Sequence, residues 1–480
     1  MASSNCHISN GFIQNCLDDL ASFIAQTIKD FYNPEVEKDK DNFNDYFLLQ
    51  LFLNFGIRRR FVGRNLVCLN YDKKHPKYDE MNSITQLCRP LIMDLDSYRV
   101  ISLGVPKGHN YSEWLSKNSE HVDSNTHISG CLVESFPAGT MVLLNPSLNG
   151  DARVYTHIVS QEVGDESGEN VDFQVDASIS TRNKLGTGSF HTGMTFKDMF
   201  DRNNASMNVH FENLTPEMAM DMCYVFNTRF VGEHITPVSD NTLVACYRFK
   251  DIQTCSESWI NVMHQKDSEE FTQLVHNHFN DMVYSVNLGC VVDRLVEIGV
   301  GKINIPTVYE VTDYDTLSSM TSFQEHFDQG FTIWTPSGER CRVRNSKFIE
   351  ARELMGPYPL SLQLEHDKYL FYRFWDLRKE GKQFDFLKYH DRFSGEYFRR
   401  FGYYETCIDA FTKDLFNWYQ RANVRRQCKK SDVPRHLGPL CYQLHGLFLN
   451  NRKPITPITV KEFVNSLDYR VYGRIFTPVS

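Results

Sequence analysis

The sequence predicts an α+β protein, and three observations carry that prediction. Two apolar patterns at helical spacing come first and end near Phe55. Short runs with strand character, separated by Gly, Pro and Asn/Asp turns, fill the middle from Leu66 to Arg344. From Lys347 onward the apolar period lengthens to about 3.6 residues and stays there. The chain of 480 residues is long enough for two or three domains. The expected division is 1–64 for N-terminal helices, 65–355 for a domain built on antiparallel sheet, and 356–480 for a helical C-terminal domain.

Taken in order, residues 8–32 place Phe12, Cys16, Leu17, Leu20, Phe23, Ile24, Ile28 and Phe31 on one helical face. Pro34 and the charged run from Glu35 to Asp41 end that helix. A second helix runs from Phe43 to Phe55 and stops at Gly56. The run Arg58-Arg59-Arg60 has two readings, a solvated helix end complementing the helix dipole or a phosphate contact. Asn65–Tyr71 alternates as a strand, and Leu87–Asp94 with Arg99–Leu103 reads as a hairpin.

Met141–Leu144, after Gly139, reads as a buried strand with Arg153–Val159 as its antiparallel partner. Glu162–Asn170 is acidic and Gly-containing, an exposed loop. Thr181–Lys184 stands at a strand end before a Gly-rich turn, and Thr195 caps the next helix. Cys223–Phe226 and Thr242–Phe249 are strands on either side of the turn cluster Thr236–Thr242. A short helix ends near Phe327, and Gln329–Trp334 pairs with Arg340–Arg344 around Pro336-Ser337-Gly338. Helices follow at Lys347–Leu354, Tyr369–Lys379, Phe384–Tyr389, Glu405–Arg421, Leu437–Phe448 and Thr459–Leu467.

Hydrophobic residues make up 41%, so a full core forms without metals or disulfides. The net charge of −9 gives no whole-chain basic field, so any nucleic-acid binding must use a local patch. The 13 cysteines contain no Cys-x-x-Cys pair and read as reduced thiols. No apolar run reaches the length of a membrane span, and Met1–Cys6 lacks the features of a signal peptide. A cytoplasmic protein with no membrane partner is expected. His264, His276 and His278 invite a metal reading, but nothing in their spacing makes them converge. Exposed helix histidines are the competing reading.

The succession from Leu66 to the C-terminus resembles the ATP-dependent RNA ligases of the phage-T4 type. The helical text around Phe384–Tyr389 and Tyr442–Phe448 is similar to the RNA-ligase-like proteins of large DNA viruses. Arg89-Pro90-Leu91-Ile92-Met93-Asp94 looks like that family's Arg-Gly-Ile-x-Phe-Asp strand, and Lys107-Gly108-His109-Asn110 like its Lys-Phe-Phe-Asn loop. The family's nucleophile motif, Lys-x-Asp-Gly-Ser, is matched by Phe136-Pro137-Ala138-Gly139-Thr140. Gly139 is kept, but phenylalanine cannot form a phosphoramidate. The Phe-Glu motif is matched by Phe226-Asn227, and Glu-Gly-x-Val by Gln329-Gly330. Asn227 and Gln329 preserve size and hydrogen bonding but not charge, so magnesium would bind weakly. Lys-x-Lys is matched by Arg342-Val343-Arg344, which keeps the positive charge.

The resemblance thus implies a ligase-type nucleotidyltransferase fold whose lysine and carboxylates are substituted. Its cationic positions survive as Arg89, Lys107, Arg182, Lys184, Arg342 and Arg344. That implies a non-catalytic protein that binds nucleotide or RNA ends, with single-stranded or nicked RNA as partner and Glu134 at the rim of the cleft. Arg342 and Arg344 share one strand face, and an ordinary exposed face would look the same. Two other readings stay open. One is an active RNA ligase with ATP and magnesium and a displaced nucleophile, such as Lys107 or Lys184. The other is a structural or assembly protein of a virus particle, with other viral proteins as partners.

Overall fold

A computed structural model describes residues 10–33, 42–61, 65–79, 81–89, 91–106, 108–111, 113–114, 128, 131–137, 140–145, 178–181, 194–219, 221–231, 236–356, 367–391 and 395–468. The chain divides into two units, Met1–Phe348 and Ile349–Ser480.

The first unit opens with helices α1 (Gly11–Tyr32) and α2 (Phe43–Phe55). Strands β1 (Ile57–Phe61) and β2 (Leu66–Tyr71), helix α3 (Ser83–Leu87), and strands β3 (Leu91–Asp94) and β4 (Val100–Leu103) follow. They form a four-stranded antiparallel sheet in the order β1-β2-β3-β4. Arg58, Arg59 and Arg60 therefore lie in a strand, not at a helix end. Helix α2 stops at Gly56, and β1 leaves it to pair Arg58 with Asn70 and Arg59 with Leu69. Arg58 forms an ion pair with Asp72, and Arg59 forms one with Asp45, so both charges have protein carboxylates to face.

Next come β5 (His109–Asn110), β6 (Leu132–Ser135), β7 (Thr140–Asn145), β8 (Ser178–Thr181), α4 (Phe196–Met207) and α5 (Pro216–Ala219). Strands β9 (Met222–Arg229) and β10 (Asp240–Phe249), helices α6 (Ile252–His264) and α7 (Phe271–Phe279), and β11 (Val283–Ser285) continue the chain. The second sheet runs β11-β10-β9-β7-β8, antiparallel throughout. Its two faces are both covered. Leu143, Cys223, Val225 and Tyr247 join the core made by α1, α2, the first sheet, α6 and α7. Val142, Leu144, Tyr224, Phe226 and Leu243 join a separate core under α4 and the following helix, α8 (Leu288–Glu297). Burial on both faces is why these strands read as continuous apolar runs. Thr195 caps α4 with a reciprocal capping box to Asp198. The expected partner strand Arg153–Val159 and the loop Glu162–Asn170 lie outside the described residues.

The third sheet is completed by β12 (Val308–Tyr309), β13 (Gly330–Trp334) and β14 (Arg340–Arg344), with α9 (Tyr314–Phe323) before β13. Its order is β12-β6-β13-β14-β5, and only the β14–β5 pairing is parallel. The strands of the middle region thus sort into three sheets.

His278 is fully buried, with Nδ1 3.2 Å from Ser258 Oγ and its ring against Trp259. Burial pushes its pKa down to about 4, so the imidazole is neutral. It is a core residue on α7, which corrects the reading of all three histidines as exposed. Among the described residues no group of three His, Cys, Asp or Glu is placed to hold a metal.

Helix α10 (Ser346–Met355) spans the boundary between the units. The second unit is helical: α11 (Asp367–Glu380), α12 (Gln383–His390), α13 (Glu396–Tyr419), α14 (Gly438–Asn451) and α15 (Pro457–Ser466). Its core gathers Phe371, Phe374, Trp375, Tyr404, Ile408, Leu415 and Leu444. Helix α13 begins nine residues earlier than its apolar period predicts, because the Asp391 carboxylate accepts the Tyr397 and Phe398 N–H groups at its start. No described helix is long and apolar enough to cross a membrane.

Candidate functional site

Strand β14 puts Arg340, Arg342 and Arg344 on one face, since side chains alternate along a strand. The register sets their neighbours on β13: Trp334 opposite Arg340, Thr332 opposite Arg342, and Gly330 opposite Arg344. Thr332 is in turn opposite Glu134 on β6. On the other side, β5 pairs Asn110 with Arg342. Gly108 fits there because a Cβ would come within 2.9 Å of Arg342 Cγ.

Arg340 is the deepest of the three, 7% exposed. Its guanidinium lies 5.1 Å from the Phe136 ring and 5.6 Å from the Trp334 ring. Its closest hydrogen-bond acceptor is Thr332 Oγ1 at 3.5 Å from Nη2, and its Nε has no partner. Burial pulls the Arg340 pKa down, with Arg89 and Arg342 as like-charged neighbours adding to the effect. A guanidinium remains protonated at neutral pH all the same. Glu134 is the facing carboxylate, and its Oε2 accepts the Trp334 indole N–H at 2.9 Å. Burial raises its pKa to about 7, against the opposing pull of Trp334 and Arg340. Glu134 is thus buried beneath the site, not at its rim, because the inward face of β6 holds it under Trp334.

Arg344 donates from Nη1 to Gln329 Oε1 at 2.7 Å, and its guanidinium lies 5.1 Å from the Phe136 ring. Arg89 reaches the carbonyl of Pro106 with Nη1 at 3.5 Å. Arg342 and Arg344 are half-buried, so the alternating arginines of β14 face inward and do not decorate an exposed strand.

Two hydrogen bonds pin the segment that carries Phe136. Its N–H donates to the Gly330 carbonyl at 2.9 Å, and Asn227 Nδ2 donates to the Pro137 carbonyl at 3.4 Å. Gly330 has φ +117, and a Cβ there would lie 2.0 Å from the Val343 carbonyl oxygen. The structure therefore brings together Phe136, Asn227, Gln329, Gly330, Arg342 and Arg344, with Arg89 adjoining through Arg340. Lys107, Gly139, Arg182 and Lys184 lie outside the described residues. Arg340 is the residue that sequence reasoning missed. It was legible as the third member of the β14 alternation.

A cavity of about 660 Å³ is lined in part by Phe136. Phe136, Tyr309, Met320 and Phe331 give it apolar wall. The Arg229–Asp240 ion pair, Thr242, Asn304 and Asp328 give it polar wall. Arg229 Nε donates to Asp240 Oδ1 at 2.6 Å, and its Nη2 donates to Oδ2. Asn203 locks this hairpin end, with Nδ2 donating to the Arg229 and Asp240 carbonyls, each at 2.9 Å. Burial raises the Asp328 pKa, with Arg229 opposing. No described lysine lines the cavity.

No family model matches the chain, and no curated protein matches it in sequence. Two solved structures titled archaeal ATP-dependent RNA ligase, form 1 and form 2, are similar at 12% identity. The first covers 74% of this chain and 75% of its own, with a TM-score of 0.33. The second covers 76% of this chain and 78% of its own, with a TM-score of 0.35. The chemistry of the site rests on the residues described above, not on that likeness.

Proposed function

We propose that this protein binds a phosphate-rich ligand, a nucleotide or an RNA end, at the arginine cluster around Phe136, without forming a lysyl-adenylate. The observation that carries this reading is the gathering of Arg89 and Arg342 beside Arg340, which faces the buried Glu134, with Arg344 against the same Phe136 ring as Arg340. Guanidinium groups match phosphate oxygens in charge and in donor geometry. The residues fit the phosphates of ATP, which these arginines would hold. They do not fit magnesium: Asn227 and Gln329 are neutral, and the Glu134 carboxylate is buried under Trp334. Phe136 has no group that attacks phosphorus.

The test is fluorescence anisotropy with a short 5′-phosphorylated single-stranded RNA in EDTA at several salt concentrations. Each neutralised phosphate contributes about −0.7 to the slope of log affinity against log salt. Arg342→Ala with Arg344→Ala should reduce that slope by about one to two units. ATP should bind the same site, measured by calorimetry without metal. Absence of both binding events would leave the scaffold reading in its place. Acid-labile label retained after incubation with radiolabelled ATP and magnesium would show that a lysyl-adenylate forms and would overturn the non-catalytic reading.

A further inference from the structure

The helical unit carries a charged surface that the site above does not use. Between Arg421 and His436 the sequence holds Arg421, Arg425, Arg426, Lys429, Lys430 and Arg435, against the single acid Asp432. The chain as a whole has net charge −9, so this is a local reversal of sign. All six cations are exposed. Among the described residues none of them is in an ion pair, and Asp432 is used within the loop, where it accepts the Lys429 N–H at 2.9 Å.

The segment is not a solvated tail. Ala422, Val433 and Leu437 are buried in the core of the unit, and Cys428 packs against it. The backbone is tied by Arg425 N–H to the Gln420 carbonyl and Gln427 N–H to the Arg421 carbonyl, both at 2.8 Å. Arg426 holds a left-handed turn with φ +53. The buried anchors and the turn fix the backbone from which the cations project. At one end the Arg421 guanidinium lies 4.5 Å from the Trp418 ring, a flat cation on an aromatic face.

We propose that this loop is a contact surface for the phosphate backbone of a single-stranded nucleic acid. Dense unpaired cations beside an aromatic–guanidinium stack are what such a strand engages, phosphates on the cations and a base on the stack. An anionic membrane would attract the same cations, but the segment exposes one large apolar side chain, Val424, for insertion, and the Arg421–Trp418 stack suits a base and not a lipid headgroup. A protein interface would require a buried apolar centre, which the loop does not offer.

The experiment uses the full chain and a fluorescein-labelled oligouridylate of about 20 nucleotides without a 5′ phosphate, a length that spans a typical single-strand site. The variant Arg425→Gln, Lys429→Gln, Lys430→Gln, Arg435→Gln leaves Arg421 on Trp418 and Arg426 in its turn. Its salt slope should fall by about two to three units and its affinity at low salt by at least about tenfold. ATP binding should be unchanged in this variant, because it reads the arginine cluster of the other unit. If ATP binds neither protein, the cluster reading fails while the loop proposal stands on the oligonucleotide. Oligonucleotide binding equal in variant and wild type, or absent in wild type, overturns the proposal. Binding to phosphatidylserine vesicles that the substitutions abolish, without oligonucleotide binding, assigns the loop to membranes and overturns it too. Should the fourfold variant not fold, Lys429→Gln with Lys430→Gln provides the same comparison with a slope change of about one.

Discussion

The Phe136 ring is held between Arg340 and Arg344, with each guanidinium 5.1 Å from its centre. The two arginines are four residues apart on one strand, and the electron-rich ring face attracts both, in addition to Glu134 facing Arg340 and Gln329 bonded to Arg344. The phenylalanine thus stabilises the cation cluster that would otherwise repel itself. Phe136→Leu removes both contacts while keeping an apolar side chain. A loss of about 2 kcal/mol is expected from urea denaturation. An unchanged midpoint would mean that the ring is only cavity wall.

Glu134 sets a pH dependence. Its carboxyl is raised from 4.5 to about 7 in the folded protein. A raised acid contributes stability that is fully present below the unfolded pKa and is lost as pH rises through the folded one. The window is therefore pH 4.5 to about 7, and stability falls across it as Glu134 ionises. Glu134→Gln keeps the size and cannot ionise, so its denaturation midpoints should fall less than those of wild type over this window. Identical pH profiles for the two proteins would contradict the assignment.

Gly330 admits no side chain. Its φ of +117 and the 2.0 Å approach of the Val343 carbonyl leave a Cβ no space. Gly330→Ala should cost more than about 3 kcal/mol, since strain and clash act together. Calorimetric melting reads the effect, and a melting temperature within a degree or two of wild type would refute it.

Asn203 is buried at 1% exposure and ties the ends of β9 and β10 beside the cavity. Asn203→Ala leaves two carbonyls without their donor. The expected cost is about 2–3 kcal/mol, measured by chemical denaturation. Asn203→Asp should be at least as damaging, because a carboxylate cannot donate to those carbonyls. Wild-type stability in both variants would remove the clasp from the account.

Much of the secondary structure was legible because each element has its own period. The α1 face from Phe12 to Phe31, the β3–β4 hairpin and the β13–β14 pair all read directly from apolar spacing. Arg58–Arg60 misled because a strand beginning right after a helix-ending glycine has no apolar signature of its own. The direction of the β14 arginines was not legible. Alternation says that Arg342 and Arg344 share a face, but which face is inward depends on β5 and β6, which are distant in sequence. Glu134 was misplaced for the same reason: its burial follows from Trp334, which is 200 residues away.

That separation bears on how the protein is made. The third sheet threads β5 and β6 early in the chain against β13 and β14 late in it. On the ribosome β6 emerges with its β13 partner still about 200 residues from being translated, a wait of about 10–40 s at ordinary elongation rates. Until β12 is made both edges of a strand built from Leu132, Val133, Glu134 and Ser135 stay open to wrong pairing, and the β13 edge stays open through the whole interval. The arginine cluster is therefore among the last parts of the N-terminal unit to assemble. Nascent chains stalled before Gly330 should bind chaperones and lack the site altogether, whereas the first sheet, complete by Leu103, can close soon after its strands leave the exit tunnel.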